Sequence, residues 1–397
     1  MEPSKPPRFI LLILFFNGLE HFLTSLKIIY TPLLPFLFFS DTPYLENISF
    51  LFQIYPVGIL AKPIGTLFFQ YIERYFSLLT TLRISYLGTG ISSVFLGALS
   101  YFFPEFLKQG LTLMYFFQTF FTSNEIVGAT KIVFDLNLED TIKKRLSGWI
   151  STSSALGIWF SFGFVLFFQE IGLLKISFFA AHMMGLILIL GMFFLPKKQL
   201  NSPPIPKNTP KIGIAPKALI FLLTGFSAFC YSTAFHVIPS YFFEKNPLDS
   251  QFLLISLDVL LLWIFGRILR YQEKETLIKG ALWCGLLGPL PFIFGFLEPS
   301  SRSLQLEIIL LGTLFSAPLY PFLYEVSGAK SRYGTLSWCY LLGSQFFGAM
   351  TPLVLLHFSR GFSMEKGILI STSLLSFVTL FALNEVRRDL ESAKIET

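Results

Sequence analysis

Pro196-Lys-Lys-Gln-Leu-Asn-Ser-Pro-Pro-Ile-Pro-Lys-Asn-Thr-Pro-Lys-Ile-Gly-Ile-Ala-Pro-Lys217 divides this chain into two runs of apolar sequence. Six apolar stretches precede it, at about 9–38, 50–72, 77–103, 110–134, 148–168 and 174–195. Six follow it, at about 217–242, 250–269, 277–297, 304–324, 335–358 and 366–383. Five lysines and a high proline content suit a solvated tether, not a span. Its lysines could also touch anionic lipid.

The rest of the chain reads as membrane. Hydrophobic residues make up 53% of it and charged residues 14%, whereas a soluble domain carries about 25% charge. Twelve spans of about 20 residues each take up roughly 240 positions. What remains suffices for short loops and tails, not for a sizeable soluble domain. The 49 phenylalanines read as lipid-facing bulk. The apolar run from Phe9 is too long for a signal-peptide core and has no small-residue cleavage site after it, so it is expected to be the first span. Pro32 and Pro35 favour a break near its outer end. Cys230, Cys284 and Cys339 all fall inside spans, which argues against a disulfide framework or a cysteine metal site.

Basic residues set the orientation. With both termini placed in the cytoplasm, the inner segments hold 21 Lys and Arg and the outer loops hold 6. Lys and Arg accumulate on the cytoplasmic side of membrane proteins. The N-terminus, the linker and the C-terminus are therefore expected inside, in an integral multi-pass protein of a bacterial inner membrane. The expected division is residues 1–195 and 217–383 as two six-helix bundles, 196–216 as the cytoplasmic linker and 384–397 as a tail.

The halves echo one another. Lys144-Arg145-Leu-Ser-Gly-Trp leads to Gly157 in the fifth span, and Ser331-Arg332-Tyr-Gly-Thr-Leu leads to Gly343 in the eleventh. Each follows a span ending in an acid, Asp135 and Glu325. Parallel halves of six spans joined by a charged linker match the layout of major facilitator transporters.

Motifs extend that likeness. Asn17-Gly-Leu-Glu20-His21-Phe with Pro35-Phe-Leu-Phe-Phe resembles the first helix of the metabolite:proton symporter branch of the major facilitator superfamily, which includes proline/betaine, oxoglutarate, citrate and shikimate carriers. Ile59-Leu-Ala-Lys62-Pro63-Ile-Gly65 resembles the second helix, where Arg is usual at the position of Lys62. Asn124-Glu125-Ile-Val-Gly128-Ala, Asp135 and the Arg145 loop resemble the fourth helix and its exit. Pro318-Leu-Tyr-Pro-Phe-Leu-Tyr-Glu325, Arg332 and Phe347-Gly348-Ala-Met-Thr-Pro352 resemble helices ten and eleven. The resemblance implies an all-α integral membrane protein: twelve transmembrane helices in two six-helix halves, the major facilitator fold. It also implies a secondary active transporter that carries a small polar organic solute with protons by alternating access.

The sequence also departs from the pattern. The loop between helices two and three keeps the acid–Arg pair Glu73-Arg74 after Gly65 but loses the second Gly and the basic end. Its counterpart around Arg267 lacks the acid. These loops govern gating in the superfamily, so gating is expected to be rewired. The stretch after Leu383 is expected to be too short for the coiled coil of osmosensing members, so osmotic sensing is not expected.

Ionisable groups inside spans are costly and point to function. Glu20 and Lys27 lie seven residues apart on one helix, hence about 20° apart around it. They could hold the two ends of a zwitterion. Alternatively Glu20 could exchange a proton, because burial favours a neutral carboxyl, or the two could be a structural pair. His21 and His236 are possible proton relays; His182 and His357 are weaker candidates. Asn124 and Glu125 sit in the fourth span, and Asp258 in the eighth is a coupling candidate. Tyr231 and Tyr320 could cage a quaternary ammonium by cation–π attraction, although ordinary packing explains them as well. Lys62 reads as packing against a neighbouring acid. Lys131 and Asp135, one turn apart, read as a local ion pair with a gating role as the alternative.

No phosphate-binding glycine loop, paired-histidine metal spacing, nucleophile elbow or basic aromatic patch is present. The chain is expected to be neither an enzyme nor a nucleic-acid binder, to use no cofactor or metal, and to act as a monomer. Its expected partners are a small solute, protons and lipid. A uniporter or exchanger with degenerate gating loops is the alternative within transport, and a non-transporting receptor or scaffold the alternative outside it. Balanced Glu20 and Lys27 lean toward a zwitterion such as proline or betaine over an organic acid.

Overall fold

The computed structural model describes residues 8–30, 33–39, 44–73, 75–135, 140–196, 213–238, 247–268, 273–298, 300–326, 332–358 and 361–395. Within these residues the regular structure is helical. In hydrocarbon every backbone N–H and C=O must be satisfied within the segment, and a helix does this.

Ahead of the linker the helices are α1 (Arg8–Tyr30), α2 (Leu34–Phe38), α3 (Tyr44–Glu73), α4 (Leu78–Phe102), α5 (Leu107–Phe121), α6 (Glu125–Asp135), α7 (Asp140–Glu170), α8 (Leu174–Met183) and α9 (Gly185–Gly191). After it come α10 (Ile214–Ser232), α11 (Pro247–Ile268), α12 (Lys274–Leu287), α13 (Leu290–Ile293), α14 (Ser301–Val326), α15 (Arg332–Phe358) and α16 (Met364–Ile395). Among the described residues nine helical segments are long and apolar enough to cross a membrane. The first span stops at Tyr30 and resumes as α2, on either side of the Pro32 position. The fourth is split by a 3₁₀ turn at Thr122–Asn124. The last span continues as helix beyond Leu383, to Ile395.

The chain forms two compact units, Met1–Pro203 with Leu248–Val259, and Pro204–Pro247 with Leu260–Thr397. In the first unit α1 packs along α7, α3 on α5, and α4 on α5, α8 and α9. The start of α11 also belongs to this unit: Trp159 of α7 stacks on Phe252 and donates from Nε1 to Ser256 Oγ at 2.6 Å. In the second unit α10 packs along α15, and α12 on α14 and α16.

The two main helix pairs use one device. A Cβ at Gly157 of α7 would lie 1.8 Å from the Gly18 carbonyl oxygen of α1. A Cβ at Gly343 of α15 would lie 2.1 Å from Thr224 Oγ1 and 2.3 Å from the Phe221 carbonyl oxygen of α10. Small residues let backbones approach this closely in a membrane, where helix pairing depends on packing and interhelical hydrogen bonds. Polar bonds flank each crossing. Asn17 Nδ2 donates to Ser153 and Ser154 Oγ at 2.8 and 2.9 Å. Thr224 Oγ1 sits 3.3 Å from the Cys339 carbonyl. Seven residues beyond Gly18 and beyond Gly225, whose N lies 3.1 Å from a Cβ at Gly343, a serine bonds across: Ser25 to Ser161, and Ser232 to the Gly348 carbonyl. Pro352 lacks the N–H that would have bonded Gly348 in a regular helix, so Ser232 satisfies the carbonyl that Pro352 leaves open. In the same way Gln305 Nε2 donates at 2.7 Å to the Ala234 carbonyl, inside the π turn Thr233–Val237 that follows α10.

Arg83, the arginine the sequence places deepest in a span, has a structural position. Its Nη2 donates to the carbonyls of Leu195 and, at 2.7 Å, Pro196. These end the sixth span, where the last carbonyls lack intrahelical partners and a cation complements the helix dipole. Arg83→Met strips both bonds at a site where unpaired acceptors cost about 1–3 kcal/mol. A thermal scan in detergent is expected to show a lower midpoint; an unchanged midpoint would mean that water replaces the guanidinium.

Candidate functional site

The polar residues of α1 differ in burial. Glu20 is fully buried against α4, while His21, Thr24 and Lys27 are half-buried. Their spacing of three places these three along one stripe.

α4 receives Glu20 with hydroxyls. Thr89 Oγ1 donates to Glu20 Oε1 at 2.8 Å, and Ser85 Oγ lies 3.5 Å from the same oxygen. Ser85 has one proton to give, and the Phe121 carbonyl at 2.7 Å is the closer acceptor. Thr89 is therefore the effective partner. Glu20 Oε2 is shut off from solvent and has no hydrogen-bond partner. The Phe121 carbonyl that Ser85 serves lies where the fourth span turns from α5 into its 3₁₀ segment.

Lys27 turns to another neighbour. Its Nζ donates to Thr119 Oγ1 of α5 at 2.8 Å and lies 5.3 Å from the centre of the Tyr115 ring. Glu20 and Lys27 thus leave α1 toward different helices, although seven residues return them to nearly the same angle.

Lys62 of α3 joins this group. Gly58, one turn earlier on α3, faces Thr119: a Cβ there would sit 3.5 Å from Thr119 Cγ2. Positions four apart share a helix face, so Lys62 is on the side of α3 that meets α5. Lys27 of α1 and Lys62 of α3 thus both lie on sides of their helices that meet α5 at Thr119. Gly65 seats α3 closely here, since a Cβ would fall 2.2 Å from the Phe120 carbonyl oxygen.

The other candidates are distributed as follows. Asn124 is buried in the 3₁₀ turn, against Gly128. Asp258 is 1% exposed in α11, within the stretch that groups with the first unit. In the second unit Tyr231 stacks on Phe235 with ring centres 6.0 Å apart, and the Tyr320 and Tyr340 hydroxyls lie 3.4 Å apart. Lys131 forms an ion pair with Glu73, joining α6 to the end of α3. Arg267 is exposed and lies 3.9 Å over the Trp263 ring. His182 is buried with Nδ1 2.8 Å from the Phe178 carbonyl. Arg74 lies outside the described residues. Glu125, Asp135, Arg145, His236, Glu325 and Arg332 belong to described helical segments, but their side chains lie outside the description. Among the described residues no group of three or more His, Cys, Asp or Glu is placed to hold a metal ion.

The sequence reading passed over Ser85, Thr89, Tyr115 and Thr119. A signal for the first two is present: Thr81, Ser85 and Thr89 recur every four residues along α4, and all are buried.

No family model matches the chain, and no curated protein sequence matches it. Solved structures do. The human organic anion transporter MFSD10 matches over 96% of this chain and 100% of its own, at 17% identity and a TM-score of 0.68. The proton:xylose symporter XylE, bound to 6-bromo-6-deoxy-D-glucose, matches over 96% of this chain and 94% of its own, at 11% identity and a TM-score of 0.76. The chain has the major facilitator fold. FucP, a major facilitator transporter in the outward conformation, agrees at a TM-score of 0.67 and 10% identity, over 94% of this chain and 98% of its own. Identities this low establish the fold and leave the solute open. Within the major facilitator fold the Glu20–Lys27–Lys62 group lies on the first and second spans, and Thr119 belongs to the fourth.

Proposed function

We propose that the protein is a secondary active transporter that carries a small polar organic solute together with protons, in the manner of the metabolite:proton symporters its motifs resemble. Glu20 carries this reading. A carboxyl group sealed inside a span, with one oxygen held by Thr89 and the other without a partner, has the make-up of a proton site. Intramembrane acids of this kind mark proton relays. A structural neighbour described as a proton:xylose symporter supports the class. In this reading residues 1–195 and 217–383 act as two six-helix halves that alternate access to the site.

The test is uptake by proteoliposomes. An inward proton gradient should drive accumulation of labelled solute from a panel of proline, betaine, oxoglutarate, citrate and shikimate, and a protonophore should abolish it. Accumulation that ignores the protonophore would leave a uniporter or exchanger. No exchange of any solute would favour the receptor or scaffold.

We further infer a bacterial inner membrane with both termini in the cytoplasm, from the 21-to-6 distribution of basic residues. Reporter fusions after Lys207 and after Thr397 should both read cytoplasmic. A periplasmic signal from either one removes the orientation.

A further inference from the structure

Glu307 is an acid inside a span that the transport reading does not use. It lies on α14, six residues after Ser301 and so about 9 Å from the start of the tenth span. Its surroundings face lipid. Leu306 and Leu310 beside it on α14 are exposed, as are Trp283 and Leu287 of α12 and Gly288 just after it. Glu307 itself is half-buried. Among the described residues nothing bonds or pairs with it, and exposed Arg302, five residues earlier, forms no ion pair with it. A charged group without a partner is costly at this depth.

The backbone adds acceptors at the same place. α12 ends at Leu287 and α13 begins at Leu290, and Pro289 and Pro291 have no N–H. The carbonyls of Gly285 and Leu287 therefore lose the donors that a regular helix supplies four residues on. Gly288 makes room for the acid over this break, since a Cβ there would sit 3.1 Å from Glu307 Oε1. A carboxylate over a turn short of donors suits a ligand rich in N–H groups. A primary ammonium brings three donors and no acceptor; a quaternary ammonium brings none.

We propose that Glu307 and the Gly288–Pro289 break bind the primary ammonium of an aminophospholipid, of the phosphatidylethanolamine type, in the leaflet where α14 begins. This stands apart from the transport reading. The carboxylate accepts N–H bonds from the ammonium. Arg302 and the first turn of α14 favour the phosphate, because the start of a helix attracts an anion. A cation at the start of α14 and a carboxylate further along it thus complement the two charges of the headgroup. Exposed Leu287, Leu306 and Leu310 give the acyl chains an apolar surface, which a water-soluble amine would leave uncovered.

The experiment is native mass spectrometry of the delipidated full-length protein, titrated with phosphatidylethanolamine, phosphatidylcholine and phosphatidylglycerol of matched chains. Phosphatidylethanolamine should bind at least one site about tenfold more tightly than the other two, as expected for a hydrogen bond to a charged group. Glu307→Gln keeps the shape of the side chain and should remove that preference. Labelling of the wild type by a hydrophobic carbodiimide, which attacks carboxyl groups in the apolar phase, gives a second readout. Peptide mapping should place an adduct on Glu307 in phosphatidylcholine nanodiscs. Phosphatidylethanolamine should suppress that adduct, and free ethanolamine should not. Equal binding of the three lipids by the wild type would overturn the proposal, as would a preference that persists in Glu307→Gln. So would the lack of an adduct on Glu307 in phosphatidylcholine, or an adduct that phosphatidylethanolamine leaves unchanged. Protection by free ethanolamine would give the site to a soluble amine and remove the lipid.

Discussion

Replacing Gly157 with leucine is expected to leave no folded protein. The crossing of α1 and α7 has no room for even the first side-chain carbon, since a Cβ would sit 1.8 Å from the Gly18 carbonyl oxygen, 2.7 Å from its carbon and 3.0 Å from Phe22 N. These are backbone atoms, so no rotamer change relieves the overlap and the helices must part. Overpacking with flexible neighbours costs about 1–3 kcal/mol; here the cost is greater because Asn17–Ser153, Asn17–Ser154 and Ser25–Ser161 separate as well. Gly343→Leu should fail in the same way in the second unit. Gly280→Ala is the control: it lies on exposed α12 surface with nothing within 4 Å of a Cβ, and alanine is the better helix former by about 1 kcal/mol. Size-exclusion recovery and a thermal scan distinguish them. A monodisperse Gly157→Leu protein with a normal midpoint would show that the crossing can open without loss.

Glu20→Gln is expected to abolish gradient-driven accumulation while leaving solute counterflow. Glutamine keeps the shape of the side chain and an acceptor for the Thr89 hydroxyl, so the packing between α1 and α4 survives. It cannot bind and release a proton, so the gradient has nothing to act on. Counterflow needs no net proton movement and persists. Normal accumulation by Glu20→Gln would move the proton site elsewhere, with buried Asp258 as the next residue to test. Loss of counterflow together with a lowered thermal midpoint would make Glu20 a structural residue.

Much of this could be read from the sequence. Span positions follow from apolar length, because a bilayer admits only helices with satisfied backbones. The proline positions placed the break near the outer end of the first span, between Tyr30 and Leu34. The paired Gly157 and Gly343 were visible as an echo, although their role as contact points was not. Glu20, Lys27 and Lys62 stood out because charge inside a span is rare. The breaks at Thr122–Asn124 and Met184 were not visible, since the apolar pattern runs through both.

Side-chain partners were the limit. Angular spacing placed Glu20 and Lys27 on one face, and the helix does return to nearly the same angle after seven residues. Two turns of travel, about 10 Å, carry the second residue past the helix that meets the first. Glu20 reaches Thr89 on α4, and Lys27 reaches Thr119 on α5. Similarly, Glu73, next in sequence to Arg74, pairs with Lys131 of α6. The sequence by itself determined the helical class and the order and composition of the apolar segments, because hydrophobicity and backbone hydrogen bonding act within each segment. Only the tertiary structure decided which charge faces which partner, because that depends on where helices cross, and the crossings are set by glycines meeting backbone from remote parts of the chain.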